Sequence, residues 1–375
     1  MRSLPRLLLA AGLGASVAAL VRCGTSHPCD SPDIECEPVV DAGDAGDAGP
    51  DTGADAGCTF CTDGATPEAS TPQGYFLVVT ETPAGSPAVS DWGGVLRYTI
   101  PADFASSTQG IAIAADAGVH DPIGLVFRYA SQELLVGNRH GNDSGDGVAG
   151  SVSRFKYDAQ AQTFSYEGEI TDPSLHCNHQ PALDPSESEL YVSNYCDPGG
   201  ISEFALAADG TPTYTGLLGS GTGFLGVAVA PDGKRLYATE RSPDPSNVIR
   251  QFALPAGTDL GSFSVTGASR LHFMSIYGQD LYVGDVDTSV YRLRIDGNDD
   301  LSLVDTVGAT TPISVALSPS GHELFADGHS FNSTSLIDRF MLVDGGAWSD
   351  ESNPISTPSS LGGVHVFPIS GIKVN

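Results

Sequence analysis

Basic residues are scarce in this chain, and their scarcity argues against polyanionic partners. The 375 residues contain 17 Lys and Arg against 46 Asp and Glu, which gives a formal net charge of −29 at pH 7. A surface of this sign repels nucleic acids and anionic membrane surfaces, so we expect neither as a partner. Cationic ligands, Ca²⁺ or basic proteins match the charge better, although an acidic surface also serves solubility alone.

Membrane-length apolar segments and enzyme signatures are lacking as well. The apolar stretch Leu7–Val21 has 15 residues, fewer than the roughly 20 that span a membrane as a helix. The chain contains no Gly-x-Ser-x-Gly elbow, no His-Glu-x-x-His motif, no phosphate-binding loop and no pair of Cys-x-x-Cys metal motifs. The sequence therefore leaves the cofactor unknown, with Ca²⁺ or another divalent cation as the one candidate.

The N-terminus is typical of an exported protein. Arg2 and Arg6 form a basic segment ahead of Leu7–Val21, which is the arrangement of a signal peptide. We therefore predict a signal peptide over residues 1–22 and an extracytoplasmic location for the rest of the chain.

The end of this segment bears on whether the protein is anchored or secreted. Leu20-Val21-Arg22-Cys23 resembles the lipobox of bacterial lipoproteins, in which the Cys is lipidated, but Arg22 stands where the motif has a small residue. We predict lipidation of Cys23, hence a lipoprotein anchored in the periplasm or at the cell surface. The alternatives are secretion after cleavage at Ala18 or Ala19, and a single uncleaved anchor.

The seven cysteines fit an oxidising compartment. Cys177 and Cys196 flank a predicted hairpin whose turn lies near residues 186–188, so antiparallel strands would bring them opposite each other. We predict a disulfide between them, with a metal site or two free thiols as the alternatives. If Cys23 is lipidated, the four other cysteines allow three pairings: they are Cys29, Cys36, Cys58 and Cys61.

Residues 23–71 have the composition of a linker. The run DAGDAGDAGPDTGADAG within them has no aromatic residue and no apolar periodicity, and residues 23–71 hold 11 acidic residues and no Lys or Arg. Such a segment cannot bury enough apolar surface to offset the entropy of ordering, and its charge favours extension. We predict a disordered stalk here and a folded domain over residues 72–375.

The folded domain is predicted to consist of strand repeats. A short strand pattern that begins with Leu and ends on polar residues recurs six times, 43 to 57 residues apart, which is the length of a four-stranded propeller blade. We call the first residue of each copy the Leu anchor. The anchors are Leu77, Leu134, Leu190, Leu236, Leu281 and Leu324.

One strand of the repeat is displaced along the chain. An apolar strand precedes five of the six anchors, and the sixth such strand occurs at the other end of the chain, as GGVHVFP over Gly362–Pro368. A ring closed by its own two ends explains this offset. We therefore predict an all-β fold, a propeller of six four-stranded blades, with seven blades as the alternative if one blade has lost its signatures.

Two kinds of repeat in this domain resemble known propeller families. GVAVAPDGKRLYATE from Gly226 and LYVGDVDTSVYRL from Leu281 resemble NHL and YVTN-type repeats. The segment from His179 to Gly210, HQPALDPSESELYVSNYCDPGGISEFALAADG, resembles the lactonase-type propellers related to 6-phosphogluconolactonase. The resemblance covers most of residues 72–370 and implies a propeller fold, although lactonase-type propellers have seven blades. The six-bladed gluconolactonase and senescence-marker group binds a divalent metal, but its ligand residues have no counterpart that can be matched here.

Polar residues lie at the end of the second strand in five of the six repeats, four places after the Leu anchor. They are Glu81, Asn138, Asn194, Glu240 and Asp285, with Gly328 in the sixth repeat. In a propeller the starts of the first strands and the ends of the second strands share one face, so we predict that these five residues bind a ligand there. Glu81, Glu240 and Asp285 are the candidates for a cation such as Ca²⁺. The alternative is that such residues accept hydrogen bonds from loop backbone.

Two histidines begin the third repeat at the same face. A lactone hydrolase needs a general base near a polarising group, so the catalytic candidates are His176, His179, Glu240 and Asp285. The alternative is that both histidines are structural or exposed to solvent.

Two functions are compatible with these features. We favour a monomeric, non-catalytic exported propeller that binds a protein or a small ligand on one face of the ring, because structural motifs are plentiful and catalytic motifs are absent. The alternative is a lactonase-like hydrolase of a lactone or sugar acid, with or without a divalent metal.

Overall fold

The computed structural model describes residues 75–82, 93–100, 108–113, 118–139, 149–241, 246–287, 289–298, 300–328, 336–343, 346–350, 354–356 and 360–368. The chain divides into two units, Met1–Gly64 and Ala65–Asn375, and all of these residues belong to the second. The predicted signal peptide, Cys23 and the predicted linker over 23–71 lie outside the described residues. In the described part of the chain, no helix has the length and apolar character needed to cross a membrane.

The described residues form 25 strands in six antiparallel sheets. The first sheet contains β1 (Tyr75–Thr82), β2 (Gly94–Ile100) and β3 (Thr108–Ile113). The second contains β4 (Pro122–Arg128), β5 (Glu133–Asn138), β6 (Ser151–Asp158) and β7 (Thr163–Ile170). The third contains β8 (Asn178–Leu183), β9 (Glu189–Asn194), β10 (Gly200–Leu206) and β11 (Pro212–Leu218).

The remaining sheets continue the same order. The fourth contains β12 (Phe224–Val229), β13 (Arg235–Glu240), β14 (Val248–Ala253) and β15 (Thr258–Ser264). The fifth contains β16 (Leu271–Tyr277), β17 (Asp280–Asp285), β18 (Ser289–Ile295) and β19 (Leu301–Gly308). The sixth contains β20 (Pro312–Leu317), β21 (Glu323–Gly328), β22 (Leu336–Leu342), β23 (Trp348–Asp350) and β24 (Ile355–Ser356), and the last strand is β25 (Ser360–Pro368).

The six sheets are the blades of a closed ring. The inner strands contact one another in the order β4, β8, β12, β16, β20, β25 and back to β4. Strand β25 completes the first blade from the C-terminal side, because it pairs antiparallel with β1 from Tyr75 opposite Pro368 to Thr82 opposite Ser360. This arrangement confirms both the displaced strand and the six blades predicted from the repeat.

The core lies between neighbouring blades. All six Leu anchors have no exposed surface, and they sit on second strands that are buried along nearly their whole length. The outermost strands β7 and β15 are largely exposed. A blade therefore buries both faces of its middle strands against its neighbours, which explains why the Leu anchors were the clearest feature of the sequence.

A hydroxyl group in the second strand joins neighbouring blades. Thr239 Oγ1 accepts a hydrogen bond from Gly226 N of its own blade at 2.7 Å and donates one to His272 O of the next blade at 2.7 Å. Ser193 and Thr80 make the same two bonds in the third and first blades. In the fifth blade this position is Gly284, where a Cβ would lie 2.6 Å from the carbonyl oxygen of Pro312 in the next blade.

The sixth blade has Asp327 at this position, three residues after the Leu anchor. The carboxyl group has no exposed surface, and neither of its oxygens has a hydrogen-bond partner among the described residues. Burial raises the pKa of Asp327 well above its ordinary value of 3.8. The sixth blade therefore carries a buried ionisable group where three other blades carry a bridging hydroxyl.

We expect Asp327→Thr to stabilise the protein at neutral pH by about 1–3 kcal/mol, because it removes an unpaired buried polar group. When folding raises the pKa of a carboxyl group, the free energy of unfolding falls as the pH rises from the pKa of the unfolded state to that of the folded state. The gain should therefore be larger at pH 7 than at pH 4. Urea unfolding of both proteins at the two pH values measures it.

The converse substitution, Thr239→Asp, is the matched control, and it should destabilise the protein more at pH 7 than at pH 4. Equal stability of Asp327→Thr and the parent protein at pH 7 would contradict the proposed cost of this carboxyl group.

The predicted disulfide is confirmed. Cys177 and Cys196 are bonded, with their Cα atoms 5.4 Å apart and a separation of 19 positions in sequence. The bond joins the residue before β8 to a residue shortly after β9, and the neighbouring Tyr195 N also donates to Cys177 O at 3.2 Å. It therefore secures the edge of the third blade at the face on which the first strand begins.

Candidate functional site

The ring has two faces. We call upper the face on which the first strands begin and the second strands end, and lower the face with the turns between first and second strands. The ligand-binding residues were predicted for the upper face.

Two of these residues, Asn138 and Asn194, hold the loops of their own blades. Asn138 is completely buried, and its Oδ1 accepts a hydrogen bond from His120 N at 3.0 Å while its Nδ2 donates to Ser153 Oγ at 2.7 Å. Asn194 repeats the arrangement: its Oδ1 accepts from His176 N at 3.0 Å. Both amides therefore fix the segment that leads into the first strand of the blade.

The carboxylates Asp285 and Glu240 are also engaged locally. Asp285 is completely buried and accepts backbone hydrogen bonds from Ser269 at 3.0 Å and from Arg270 at 3.1 Å. Glu240 forms an ion pair with Arg250 at 3.0 Å. Burial raises the pKa of Glu240, and the charge of Arg250 acts in the opposite direction. The contacts of Asn138, Asn194 and Asp285 are those expected of residues that accept hydrogen bonds from loop backbone.

The cation site stays a prediction. Glu81 lies in β1, and its side chain is outside the described residues. Among the residues that the structure describes, no three His, Cys, Asp or Glu side chains are grouped so that they could hold a metal ion.

His179 lies at the centre of a cluster on the upper face. Its ring stacks on Tyr195 with the centroids 4.9 Å apart, and the ring of His272 is 5.7 Å away. His179 is 4% exposed, and neither ring nitrogen has a hydrogen-bond partner in the described part of the chain. The other candidate histidine, His176, is half-buried and contributes its backbone N–H to the loop.

Two arginines add positive charge to this cluster. The guanidinium of Arg241 lies 3.8 Å from the centre of the Tyr195 ring. The pKa of His179 is well below 6.5 because of burial first, and then because of the nearby charges of His272, Arg139 and Arg241. His179 is therefore uncharged at neutral pH.

These two arginines differ from most others in the protein. Within the described residues, neither Arg139 nor Arg241 has a carboxylate partner. The arginines that do form ion pairs with Asp or Glu are Arg128, Arg154, Arg235, Arg250, Arg270, Arg292, Arg294 and Arg339. In a chain of net charge −29, these two guanidinium groups, which have no carboxylate partner among the described residues, lie near two imidazoles and form a local site for negative charge.

The residues of this cluster follow the predicted ligand-binding residues by one position. Arg139, Tyr195 and Arg241 come directly after Asn138, Asn194 and Glu240. The two asparagines hold their loops and Glu240 pairs with Arg250, whereas the residue that follows each of them lies at the cluster. These residues lie five places after their Leu anchors, so the position after the predicted one would have identified them.

Side chains from distant blades close the channel below this cluster. Ile123, Phe273 and Ile313 come from the second, fifth and sixth blades and pack together as one buried group. Below them, Gln180 extends from β8 and its Oε1 accepts hydrogen bonds from Val227 N at 3.1 Å and Met274 N at 3.0 Å. A ligand on the upper face would therefore rest on a floor of side chains.

Solved structures with a similar fold include proteins described as gluconolactonases or 6-phosphogluconolactonases. A candidate 6-phosphogluconolactonase from Bacteroides fragilis matches with a TM-score of 0.57 and 14% identity, over 80% of this chain and 99% of that chain. A periplasmic gluconolactonase from Pseudomonas aeruginosa matches with a TM-score of 0.56 and 18% identity, over 76% of this chain and 83% of that chain. A candidate 6-phosphogluconolactonase from Bacteroides uniformis gives 0.52 and 17%, over 76% and 83% of the two chains.

These likenesses concern the fold. No protein-family signature and no curated protein sequence matches the chain. The protein is a six-bladed β-propeller whose architecture is similar to that of lactonase-like propellers. Because one propeller fold serves many functions, the activity has to be argued from the site.

Proposed function

We propose that this protein is an exported β-propeller that binds a small anionic molecule on its upper face, between Arg139 and Arg241. The observation that carries the proposal is the presence of two guanidinium groups without carboxylate partners among the described residues, beside two imidazoles. Guanidinium groups bind carboxylates and phosphates through paired hydrogen bonds. The ligand class that fits is a sugar acid, whose acidic group meets the arginines.

The uncharged imidazole of His179 suits the rest of such a ligand. Its two nitrogens have no partner in the described part of the chain, and a neutral imidazole offers one donor and one acceptor. Sugar hydroxyl groups can use both.

Lactone hydrolysis is the second candidate function, and the same imidazole favours it. Neutral His179 can take a proton from water as the oxygen attacks the lactone carbonyl, while a guanidinium stabilises the negative charge on the carbonyl oxygen. The ring C–O bond then breaks as the imidazolium of His179 returns the proton to the ring oxygen, which yields the open-chain sugar acid with a free hydroxyl group. The lactonase names of proteins with a similar fold agree with this chemistry.

We also propose an extracytoplasmic location. The disulfide between Cys177 and Cys196 supports an oxidising compartment, and one protein of similar fold is periplasmic. The lipid anchor at Cys23 and the monomeric state belong to the same proposal.

Calorimetric titration tests the binding function. We expect gluconate or 6-phosphogluconate to bind the protein and glucose, which has no charge, to bind at least tenfold more weakly. Arg241→Gln should weaken binding of the acid about tenfold or more, the effect of one charge-assisted hydrogen bond. Lys234→Gln removes the same charge from an exposed turn on the lower face and should leave binding unchanged. Failure of both acids to bind, or equal binding by Arg241→Gln, would reject the site.

A pH-stat measurement with glucono-1,5-lactone tests hydrolysis, with the spontaneous rate subtracted. If His179 is the base, His179→Asn should lower the rate about 100-fold, and His322→Asn, which changes an exposed turn residue, should not. Binding of gluconate without any enzymatic hydrolysis would reject the second function and leave the first in place.

A further inference from the structure

The lower half of the channel contains a cavity that the proposed function does not use. It has a volume of about 380 Å³ and includes turn residues such as Pro185 and Gly278 in its lining, so it lies towards the lower face. A smaller cavity of about 200 Å³ continues towards the middle of the ring and shares His365 in its lining.

The walls of this cavity are mostly apolar. Val126, Leu183, Val229 and Ile276, from four different inner strands, line both cavities. Predominantly apolar walls with few polar groups are typical of small-molecule sites of this size.

His365 is the exception within its layer of the ring. The layer contains one residue from each of the six inner strands. That residue comes one place before the partner of the Leu anchor: in the first blade Leu77 pairs with Val366, so the layer residue is His365. The six residues are Val126, Ala182, Ala228, Ser275, Ala316 and His365. Five blades therefore fill this layer with small or apolar side chains, and the packing of the ring does not require an imidazole here.

The imidazole of His365 has an unsatisfied nitrogen. Its Nε2 is buried and has no hydrogen-bond partner among the residues that the structure describes. Burial lowers the pKa of His365 to about 4, so the ring is neutral at pH 7 and its Nε2 donates or accepts according to the tautomer. Buried polar atoms almost always have a partner, so a molecule in the cavity is expected to supply one.

The surroundings of the cavity restrict the charge of that molecule. Asp184 and Glu187 contribute carboxylates to the lining on the lower-face side, and their charge disfavours an anion. Both carboxylates already accept backbone hydrogen bonds, Asp184 from Ser188 N at 2.7 Å and Glu187 from Ala130 N at 2.6 Å, so neither requires a cation from the cavity. A neutral molecule is the remaining choice.

We propose that this cavity binds a small, neutral, mainly apolar molecule with one hydroxyl group, of which simple phenols are the type, and that the hydroxyl group hydrogen-bonds to Nε2 of His365. The apolar part contacts Val126, Leu183, Val229 and Ile276. Gln180 and the buried group of Ile123, Phe273 and Ile313 separate this site from the upper face, so the two sites bind independently.

Three probes and calorimetry test the proposal on the full mature chain. Phenol should bind at least tenfold more tightly than benzene, because of one hydrogen bond in an apolar cavity. Benzoate should bind more weakly than phenol, because its charge is opposed by the lining carboxylates. His365→Leu should weaken phenol binding about tenfold or more and change benzene binding less than threefold. His322→Leu, at an exposed turn of the same face, should change neither.

Nitrogen-15 NMR of the histidine side chains in the unaltered protein gives a second measurement, which does not depend on the folding of a variant. Phenol should shift the Nε2 resonance of His365, and Arg241→Gln should not affect that shift. If phenol leaves this resonance unmoved, if phenol and benzene bind equally, or if none of the probes binds, the cavity is not such a site and the proposal is overturned.

Discussion

Deletion of residues 360–375 should abolish cooperative folding of the propeller. Strand β25 is the inner strand of the first blade, and it contacts the inner strands of the second and sixth blades. Val364 and Val366 are buried, each worth about 1.5–3 kcal/mol. The loss of these side chains, of the pairing with β1 and of ring closure should exceed the roughly 5–15 kcal/mol by which a protein is stable.

Two hydrogen bonds of β25 would also be lost in the truncated protein. Gly363 N donates to Thr80 Oγ1 at 2.6 Å, and Val364 N donates to Ser314 Oγ at 3.0 Å. These bonds join β25 to the first and sixth blades at once. Urea unfolding followed by circular dichroism measures the effect, and removal of residues 41–56 from the predicted linker is the control of similar length. A truncated protein that unfolds cooperatively at the parent midpoint would refute the role of β25 in closing the ring.

Arg128→Ala should lower the free energy of unfolding by about 3 kcal/mol or more, the cost of breaking a buried ion pair. Arg128 is 4% exposed, and its Nη1 lies 3.3 Å from Glu133 Oε2. It also donates to the carbonyl oxygens of Glu187 at 2.9 Å and Ala207 at 3.0 Å, both in the third blade. One buried side chain therefore joins two blades.

The matched control is Arg270→Ala. Arg270 pairs with Asp287, but their side chains are 54% and 40% exposed, and exposed pairs contribute about 1 kcal/mol or less. Denaturant midpoints of the two variants should therefore differ clearly. If Arg128→Ala costs no more than Arg270→Ala, the buried pair does not hold the second and third blades together.

The sequence was sufficient to predict how the ring is built. The Leu anchors recur because each blade must bury the same position between its two neighbours, and a repeat of buried Leu is visible without coordinates. The displaced strand before Pro368 follows from counting strands around a closed ring. The disulfide between Cys177 and Cys196 follows from the equal distances of the two residues from one turn. The anchors and the displaced strand follow from a periodicity that runs along the chain, and the disulfide follows from the local geometry of one hairpin.

The sequence was less informative about the site. Asn138, Asn194 and Asp285 were predicted to bind a ligand, and their contacts are those of loop-holding residues. Polar residues at strand ends serve both purposes, and which side of the strand each one faces depends on a single step along the chain. The adjacent residues Arg139, Tyr195 and Arg241, which meet near His179, were missed for that reason.

By itself, the sequence determined the class of fold, the number of blades and the way in which the chain ends close the ring, while the signal for export stays a prediction. Only the tertiary structure decided which side chains share a space. His179 and His272 are 93 residues apart in sequence and come from the third and fifth blades, yet their rings are 5.7 Å apart. His365 likewise meets a layer of small or apolar residues that come from five other repeats. The curvature of the ring brings the inner strands of distant repeats together around one channel, and no local pattern in the sequence contains that curvature.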